Sequence, residues 1–544
     1  MSLPKEDLKN SASTVEDVEM SKADAHHQAR GTVQLLDQNT VILIPTPSPD
    51  PKDPLNLPRW HKFTIVFIVA VYGAFSVLCT SALGAVAPVL MHLYPPQDAA
   101  RVTDLLTYPT LFMGIGNLIS MPLCVAIGRR PVFLATLVLC IASSIWCANA
   151  KTLSSHIAGR NVFSLAAGQS EALAPMIVQE IFFLHERGRG LAWFIGIENV
   201  IVAAMFYATT TIIPNPQLGL KWWYGIIAII NAALLLLAFF FLYETKFDRP
   251  SDAELGAVHL RFDANGQIDK AGDQERIFRV TTAQNHKVDE ATWGPRTWKH
   301  SLKLINAKPN WWATVQFYKE TGQGLIIPTT FWLLILNGAY LGVYVYHAST
   351  FAQILAQPPY LFKNQWLGLV QLSQVVAATL IVPILGYGSD FVVKILSRRN
   401  RGLYEPEFRL IALAMPVALM IIACVIYGRA AQEHWHWFAI VSTYHIGFFA
   451  FNAANTVGIT YLVDSFPSKA GPLLLLLCAG RGFISFGLSY STVPAVQVLG
   501  YKTSMDIFAI VTGILGGLAI PAYMFGKNIR ELTGRYIWKQ ENGY

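Results

Sequence analysis

Six ionisable side chains, Arg160, Glu171, Glu198, His347, His445 and Arg481, stand inside stretches otherwise built mainly from apolar residues. In hydrocarbon each costs at least about 2.5 to 3.5 kcal/mol even on lenient insertion scales, so each needs a partner or a wet cavity. Partly buried carboxylates suit proton coupling, because a shortage of water eases protonation, and when ionised they attract cations. Glu171 and Glu198 are the candidates for that work. Arg160 and Arg481 read either as their counterparts in transport or as neutralised pairs that fix helix packing. Histidine titrates in the physiological range, but His347 (VYVYHAST) and His445 (STYHIGFF) sit among aromatic residues, where a hydrogen-bonded packing role is the plainer reading. Asn337, Gln371, Gln374, Asn452 and Asn455 add hydrogen-bonding groups, and Tyr340, Tyr344 and Tyr346 offer aromatic walls.

The elements that must carry these groups are membrane helices. A bilayer core of roughly 30 Å takes about 20 apolar residues in a helix, and backbone polar groups must be satisfied internally. Twelve segments qualify: 62–86, 104–127, 131–149, 154–183, 190–213 and 223–243, then 326–350, 366–389, 410–428, 437–462, 470–495 and 504–525. The expected architecture is all-α, with twelve transmembrane helices in two pseudo-symmetric six-helix bundles, 62–243 and 326–525. They are flanked by a disordered tail (1–61), a central loop (244–325) and a short tail (526–544). Part of the central loop, WGPRTWKHSLKLINAKPNWWATVQFYK, reads either as a helix on the bilayer surface or as a loose basic linker. The interiors of the third, sixth, ninth and twelfth segments hold no charge, as expected of helices on the lipid-facing outside. Arg160 and Glu171 are eleven residues apart, which returns them to one helix face about 16 Å apart along the axis, so both are expected to line one cavity. Lys and Arg concentrate after even-numbered segments (Arg129, Arg130, Arg187, Arg189, Lys394, Arg398, Arg399) and in the C-terminal tail, which predicts two cytosolic termini.

Composition narrows the class further. Of 544 residues 14% are charged and 53% hydrophobic, and the net charge of +7 is scattered between apolar runs, so nucleic acid is not an expected partner. Cys79, Cys124, Cys140, Cys147, Cys424 and Cys478 lie in apolar stretches without metal-ligand spacing, so neither disulfide, metal nor cofactor is expected. The polar first forty residues hold no signal-peptide core, and His26 with His27 is too isolated for a metal site. No GxxxxGKS/T loop is present to cradle ATP, and no usable GxSxG or HExxH to make an enzyme. Nothing resembles a channel filter.

Ordered short stretches carry a family resemblance over nearly the whole chain. IPTPSPDPKDPLNLPRWHK precedes the first segment; GNLISMPLCVAIGRRPVFL joins the second and third; AGRNVFSLAAGQSEALAP holds Arg160 and Glu171; and IFFLHERGRG, KWWYG, YETKFDRP, GYGSDF, NRGLYEPEFRL, TYLVDSFP and FGKNIR follow in turn. Together these resemble the major facilitator superfamily and, within it, the fungal drug:proton antiporter-1 family. The resemblance implies a conformational loop motif at Gly128, Arg129 and Arg130, with Asp390 in the second half, and alternating access between two halves. Three departures bear on mechanism. Val125 and Ala126 stand where the loop motif normally has an acid and a base, Phe163 and Ser164 replace the usual Gln and Gly after the helix 4 arginine, and NVIVAAMFYATTT lacks the Gly-Pro element common in antiporters.

The resulting expectation is a monomeric, multi-pass plasma-membrane carrier that uses a proton gradient to export a drug-like or secondary-metabolite molecule. Arg160, Glu171 and Glu198 are the leading coupling residues, with Arg481, Asn337, His347, His445, Asn452 and Asn455 alongside. Uptake of an organic cation such as a polyamine is the rival on the same fold. A non-transporting membrane receptor is the rival of another class.

Overall fold

The computed structural model describes residues 43–247, 288–297, 302–304, 309–400, 403–466 and 469–536, with strand fragments at 33–34, 36–37, 40–41, 258–260 and 277–279. The first bundle comprises α1 (Arg59–Ser81), α2 (Asp104–Ile127), α3 (Arg129–Ala148), α4 in two pieces (Leu153–Ala167 and Ser170–Ile181), α5 (Arg187–Ile212) and α6 (Gly219–Phe241). The second begins with α7 (Pro328–Ala356). Next, α8 is built from Asn364–Leu372, Gln374–Ile381, a π turn Val382–Tyr387 and Gly388–Arg399. Then α9 enters through a tight turn, Pro406–Leu413, into Ala414–Gln432, and α10 spans Trp437–Ser465. The last two helices, α11 (470–499) and α12 (501–536), meet at Gly500, whose φ of 71° reverses the chain where Gln432 Oε1 accepts the Tyr501 N–H at 3.1 Å.

Among the described residues ten helices are long and apolar enough to cross a membrane. The other two crossings are the interrupted helices, α4 and α8. In α4 the break falls at Gly168 and Gln169, where α2 crosses at a distance no side chain allows. A Cβ on Gly168 would lie 2.2 Å from Met113 O, and one on Gly116 of α2 would lie 2.1 Å from Leu165 O. Without a hydrophobic drive between helices in lipid, such small-residue crossings hold the bundle together.

The uncharged helices lie outside. Of the most apolar window of each, 22% is buried for the segment containing α12 and 33% for α6, against 78% for α7 and 83% for α10. The seam between bundles runs along α2 against α11 and α5 against α8, with the turn after α1 (Ala82–Val86) meeting α7 and α4 meeting α11. Both described ends of the chain lie on one face, called here the termini face.

Two connecting segments are more ordered than a tail and a linker. Residues 43–58, expected in the disordered tail, fold against the termini face, because Ile44, Leu55 and Leu57 supply enough apolar surface to bury. The first 32 residues, including His26 and His27, lie outside the described residues. In the central loop Trp311–Gly324 is a helix. It docks on α2 through Asn310 N to Ala126 O at 3.2 Å and Tyr318 Oη to Leu118 O at 2.6 Å, and on α11 through Lys469 Nζ to Glu320 Oε1 at 2.8 Å. Its other face exposes Trp311, Trp312 and Val315, as a helix at a bilayer surface does.

Replacing Gly116 by Ala forces α2 off Leu165 O and is expected to cost about 1 to 3 kcal/mol or more. Fluorescence-detected size-exclusion after heating should show a clear loss of thermal stability. An unchanged melting profile would contradict the crossing.

Candidate functional site

Where the bundles face each other, a cavity opens between α1, α2, α4 and α5 on one side and α7, α10 and α11 on the other. Its volume is about 120 Å³. Phe194, Tyr344, Phe448 and Phe451 make much of its wall apolar and aromatic.

Its charged groups are Glu171, Glu198 and Arg481. Arg481 Nη2 lies 2.9 Å from Glu171 Oε2, an ion pair that joins α4 to α11 across the seam. The same guanidinium donates through Nη1 to Asn455 Oδ1 at 2.7 Å and lies 5.7 Å from the Phe451 ring centre. A 5% exposed arginine needs such partners. Glu198 is different. Among the described residues its carboxylate has neither an ion pair nor a hydrogen bond. It lies against α1, where a Cβ on Gly73 would come within 2.7 Å of Glu198 Oε1. The Glu171–Arg481 pair is neutral, so the cavity carries whatever charge Glu198 carries. Beside it, Asn199 Nδ2 faces Asn452 Oδ1 at 3.5 Å, a weak polar contact between α5 and α10.

Glu171, Glu198, Arg481, Asn452 and Asn455 thus come together, and the remaining expected residues do not. Arg160 is absent from the cavity wall. It lies deep in the first bundle, where Nη1 donates to Tyr224 Oη at 3.3 Å, and Tyr224 also bonds His156 Nε2 at 2.6 Å. A shared helix face placed Arg160 and Glu171 in line, but the break at Gly168 and the packing of α6 send them to different surroundings. His347 is buried with its ring 4.1 Å from that of Tyr427, and His445 bonds Ser373, so both are packed among neighbours. Asn337 donates to Leu333 O at 3.0 Å within its own helix, and its amide lies against Gly458 of α10.

Comparison with known proteins agrees with this architecture. The Major Facilitator Superfamily model matches residues 65–474. The chain belongs to the major facilitator superfamily. Similar relatives include an uncharacterized MFS-type transporter of Schizosaccharomyces pombe, 23% identical over 92% of this chain and 89% of its own length. Protein HOL1 of Saccharomyces cerevisiae is 22% identical, covering 92% of each. Among solved structures the human organic anion transporter MFSD10 (TETRAN) shares the fold at a TM-score of 0.55 and 12% identity, over 85% of this chain and 100% of its own.

In this facilitator the termini face is closed by buried charges, of which the sequence had offered Arg187 and Arg189 as orientation signals and Asp390 with the loop motif. Asp464 of α10 receives Arg187 of α5 at 3.1 Å, Arg409 Nε, and the Tyr404 hydroxyl at 2.7 Å. Asp390 of α8 accepts the Arg189 N–H at 3.1 Å and lies 3.6 Å from Arg409. Two arginines and two aspartates, nearly dry, therefore bridge the halves. The loop motif is tied differently from the usual pattern. With Val125 and Ala126 uncharged, Glu244 at the end of α6 accepts the Arg129 and Arg130 N–H groups at 2.9 and 3.2 Å, and Glu180 pairs with the Arg129 side chain at 2.8 Å. Gly128, at φ 115°, lets the chain turn against Glu244, where a Cβ would lie 2.4 Å from Oε2. In the second bundle Arg530 pairs with Glu407 at 2.7 Å.

The two aspartates respond oppositely to neutralisation. Burial pushes the Asp390 carboxyl up to about 6, against the pull of Arg409, Arg189 and Lys394. A folded pKa above the unfolded one stabilises the fold at low pH, and that stabilisation is lost as pH rises through about 6. Asp390→Asn should therefore raise the melting temperature at pH 7.5, by at most about 3 kcal/mol in stability, with the gain vanishing near pH 4. Asp464→Asn takes the carboxylate from Arg187 and leaves Arg409 only its longer contact to Asp390, and should cost about 3 to 5 kcal/mol. Thermal unfolding of both variants across pH checks the pair of signs.

Proposed function

We propose that this facilitator is a proton-coupled exporter of drug-like organic cations, working by alternating access and resembling the fungal drug:proton antiporter-1 family. The observation that carries the reading is Glu198: one carboxylate with neither ion pair nor hydrogen bond among the described residues, at a cavity with aromatic walls, beside a pair that already cancels. A proton and an organic cation both neutralise it, and they compete for it. One such group favours exchange over co-movement, because loading the substrate requires the proton to leave. Aromatic side chains around an anionic centre suit a cation with an apolar body. Glu171 and Arg481 are assigned to holding the halves together around the site, with Asn452 and Asn455 as polar contacts for substrate or for Arg481.

The distribution of Lys and Arg supports cytosolic termini, and the plasma membrane is the proposed location. Asp390 and the loop at Gly128, Arg129 and Arg130 are assigned to the conformational change. Arg160, held by Tyr224, supports a structural role better than a coupling one.

Reconstituted vesicles with an imposed pH gradient test the reading, with ethidium as the probe. Ethidium should move against the proton flow, and Glu198→Gln should cut proton-driven ethidium flux on the order of tenfold or more while leaving the melting temperature nearly unchanged. Arg481→Met should instead lower the melting temperature, because it leaves Glu171 unpaired. Ethidium moving in the same direction as protons would replace export with uptake, and unchanged proton dependence in Glu198→Gln would remove that residue from the mechanism.

A further inference from the structure

The stretch before α1, singled out above only as a signpost, ends up between the two halves. Its root is fixed to the first bundle. Asp53 accepts the N–H groups of Leu55 and Ser48, each at 2.9 Å; Asn56 Nδ2 donates to the carbonyls of Ser48 and Asp50 at 2.8 and 2.9 Å; and Lys62 Nζ of α1 donates to Leu55 O at 3.0 Å. Leu55 and Leu57 are buried beneath this knot. Its tip is Ile44, 3% exposed. Ile44 O accepts the Leu184 N–H at 2.7 Å, in the connection between α4 and α5. The Ile44 side chain shares one apolar cluster with Leu184 of the first half and with Val393, Tyr404 and Phe408 of the second.

That cluster lies directly on the buried charges of the termini face. Tyr404 bonds Asp464, and Arg409 Nη2 donates to Leu184 O at 3.4 Å, so the residues Ile44 covers are those that hold the ion pairs. Upstream, Val33–Gln34 pairs antiparallel with Leu403–Tyr404, which carries the segment onto the second half. One strap thus spans from α1 across the seam. It keeps water from charges whose attraction weakens steeply once hydrated.

We propose that Ile44 is a positioning residue of the transport cycle: it acts through Leu184 and Tyr404 to keep the Arg187–Asp464–Arg409 charges dry and the termini face closed. The proposal rests on the reading that the halves part at this face. Separation of Leu184 from Val393 must pull Ile44 out of its cluster, so the strap sets how readily the face opens.

The test uses the full chain in lipid nanodiscs and needs no substrate, so it can fail independently of the proposed transport activity. Ser465, fully buried beside Asp464, becomes a reporter as Ser465→Cys. Its reaction with a charged maleimide is measured above the labelling of the parent protein. Ile44→Asn should accelerate it roughly tenfold, the lower end of what burial of one isoleucine stabilises. Ile44→Ala, which only shortens the side chain, should give a smaller acceleration and keeps the test open if the Asn variant does not fold. Ile44→Leu should restore the slow rate. A second reporter, Ser504→Cys at the opposite end of α12, should stay slow in every case. Unchanged labelling at position 465 in the folded Ala variant would overturn the proposal. Equal acceleration at both reporters would overturn it too, since that is general loosening rather than opening of one face.

Discussion

A guanidinium or carboxylate removed from water has to meet its opposite within a few ångström, and in this chain the partners are divided between the two halves. Glu171 on α4 finds Arg481 on α11, and Arg187 on α5 finds Asp464 on α10. Among the described residues Glu171 and Arg187 find their ion-pair partner only in the other half, whereas Asp464 also receives Arg409 of its own half. Other pairs close within a half: Arg129 with Glu180 and Glu244 in the first, Arg530 with Glu407 in the second. This division separates the contacts that make each bundle a unit from those that decide how the units sit together.

Packing follows the same division. Within the first bundle, α2 and α4 touch backbone to backbone at Gly116 and Gly168, with no slack for sliding. Across the seam the close approaches are of another kind. Gly188 lies so near Asp390 that a Cβ would come within 2.4 Å of Oδ1, and Gly368 faces Thr210 Oγ1 at 2.3 Å by the same measure. Those contacts end on side chains that can swing aside. Gly116 and Gly168 thus fix the α2–α4 crossing, whereas Gly188 and Gly368 let side chains of the other half close on them and move away again.

The sequence made the helices legible because spanning length and apolarity are local properties. It also made Glu171, Glu198 and Arg481 conspicuous, since charge in an apolar run is visible in one dimension. It did not show that Glu171 and Arg481 are partners while Glu198 stands apart, because that depends on which helices are neighbours. Arg160, expected to line one cavity with Glu171, lies apart from it for the same reason: periodicity gives the face of a helix but not what the face meets. The counter-charge of the loop motif looked lost at Val125 and Ala126, yet Glu244 supplies it from 115 residues away. Asp464 stood unnoticed near a helix end, where an acid looks solvated. The segment 43–58 read as tail because proline and aspartate dominate it, and its few apolar residues are spaced too irregularly to suggest an element.

The two sets of bridging pairs differ in wetness, and that difference orders the proposed cycle. Arg187 and Asp464 are 8% and 1% exposed at the side chain, whereas Arg481 and Glu171 are 6% and 20% exposed. Electrostatic attraction is stronger where water is excluded, so the termini-face charges hold more tightly than the pair at the cavity. In the proposed cycle a proton or cation arriving at Glu198 would change the field first at Glu171 and Arg481, the looser bridge. Loosening α4 from α11 there lets the seam flex without disturbing the dry charges below. For the termini face to open, water has to reach those charges and replace their partners. The barrier to opening is therefore set less by the substrate site than by whatever keeps that face dry, and the residue placed to do so is an isoleucine ahead of the first helix.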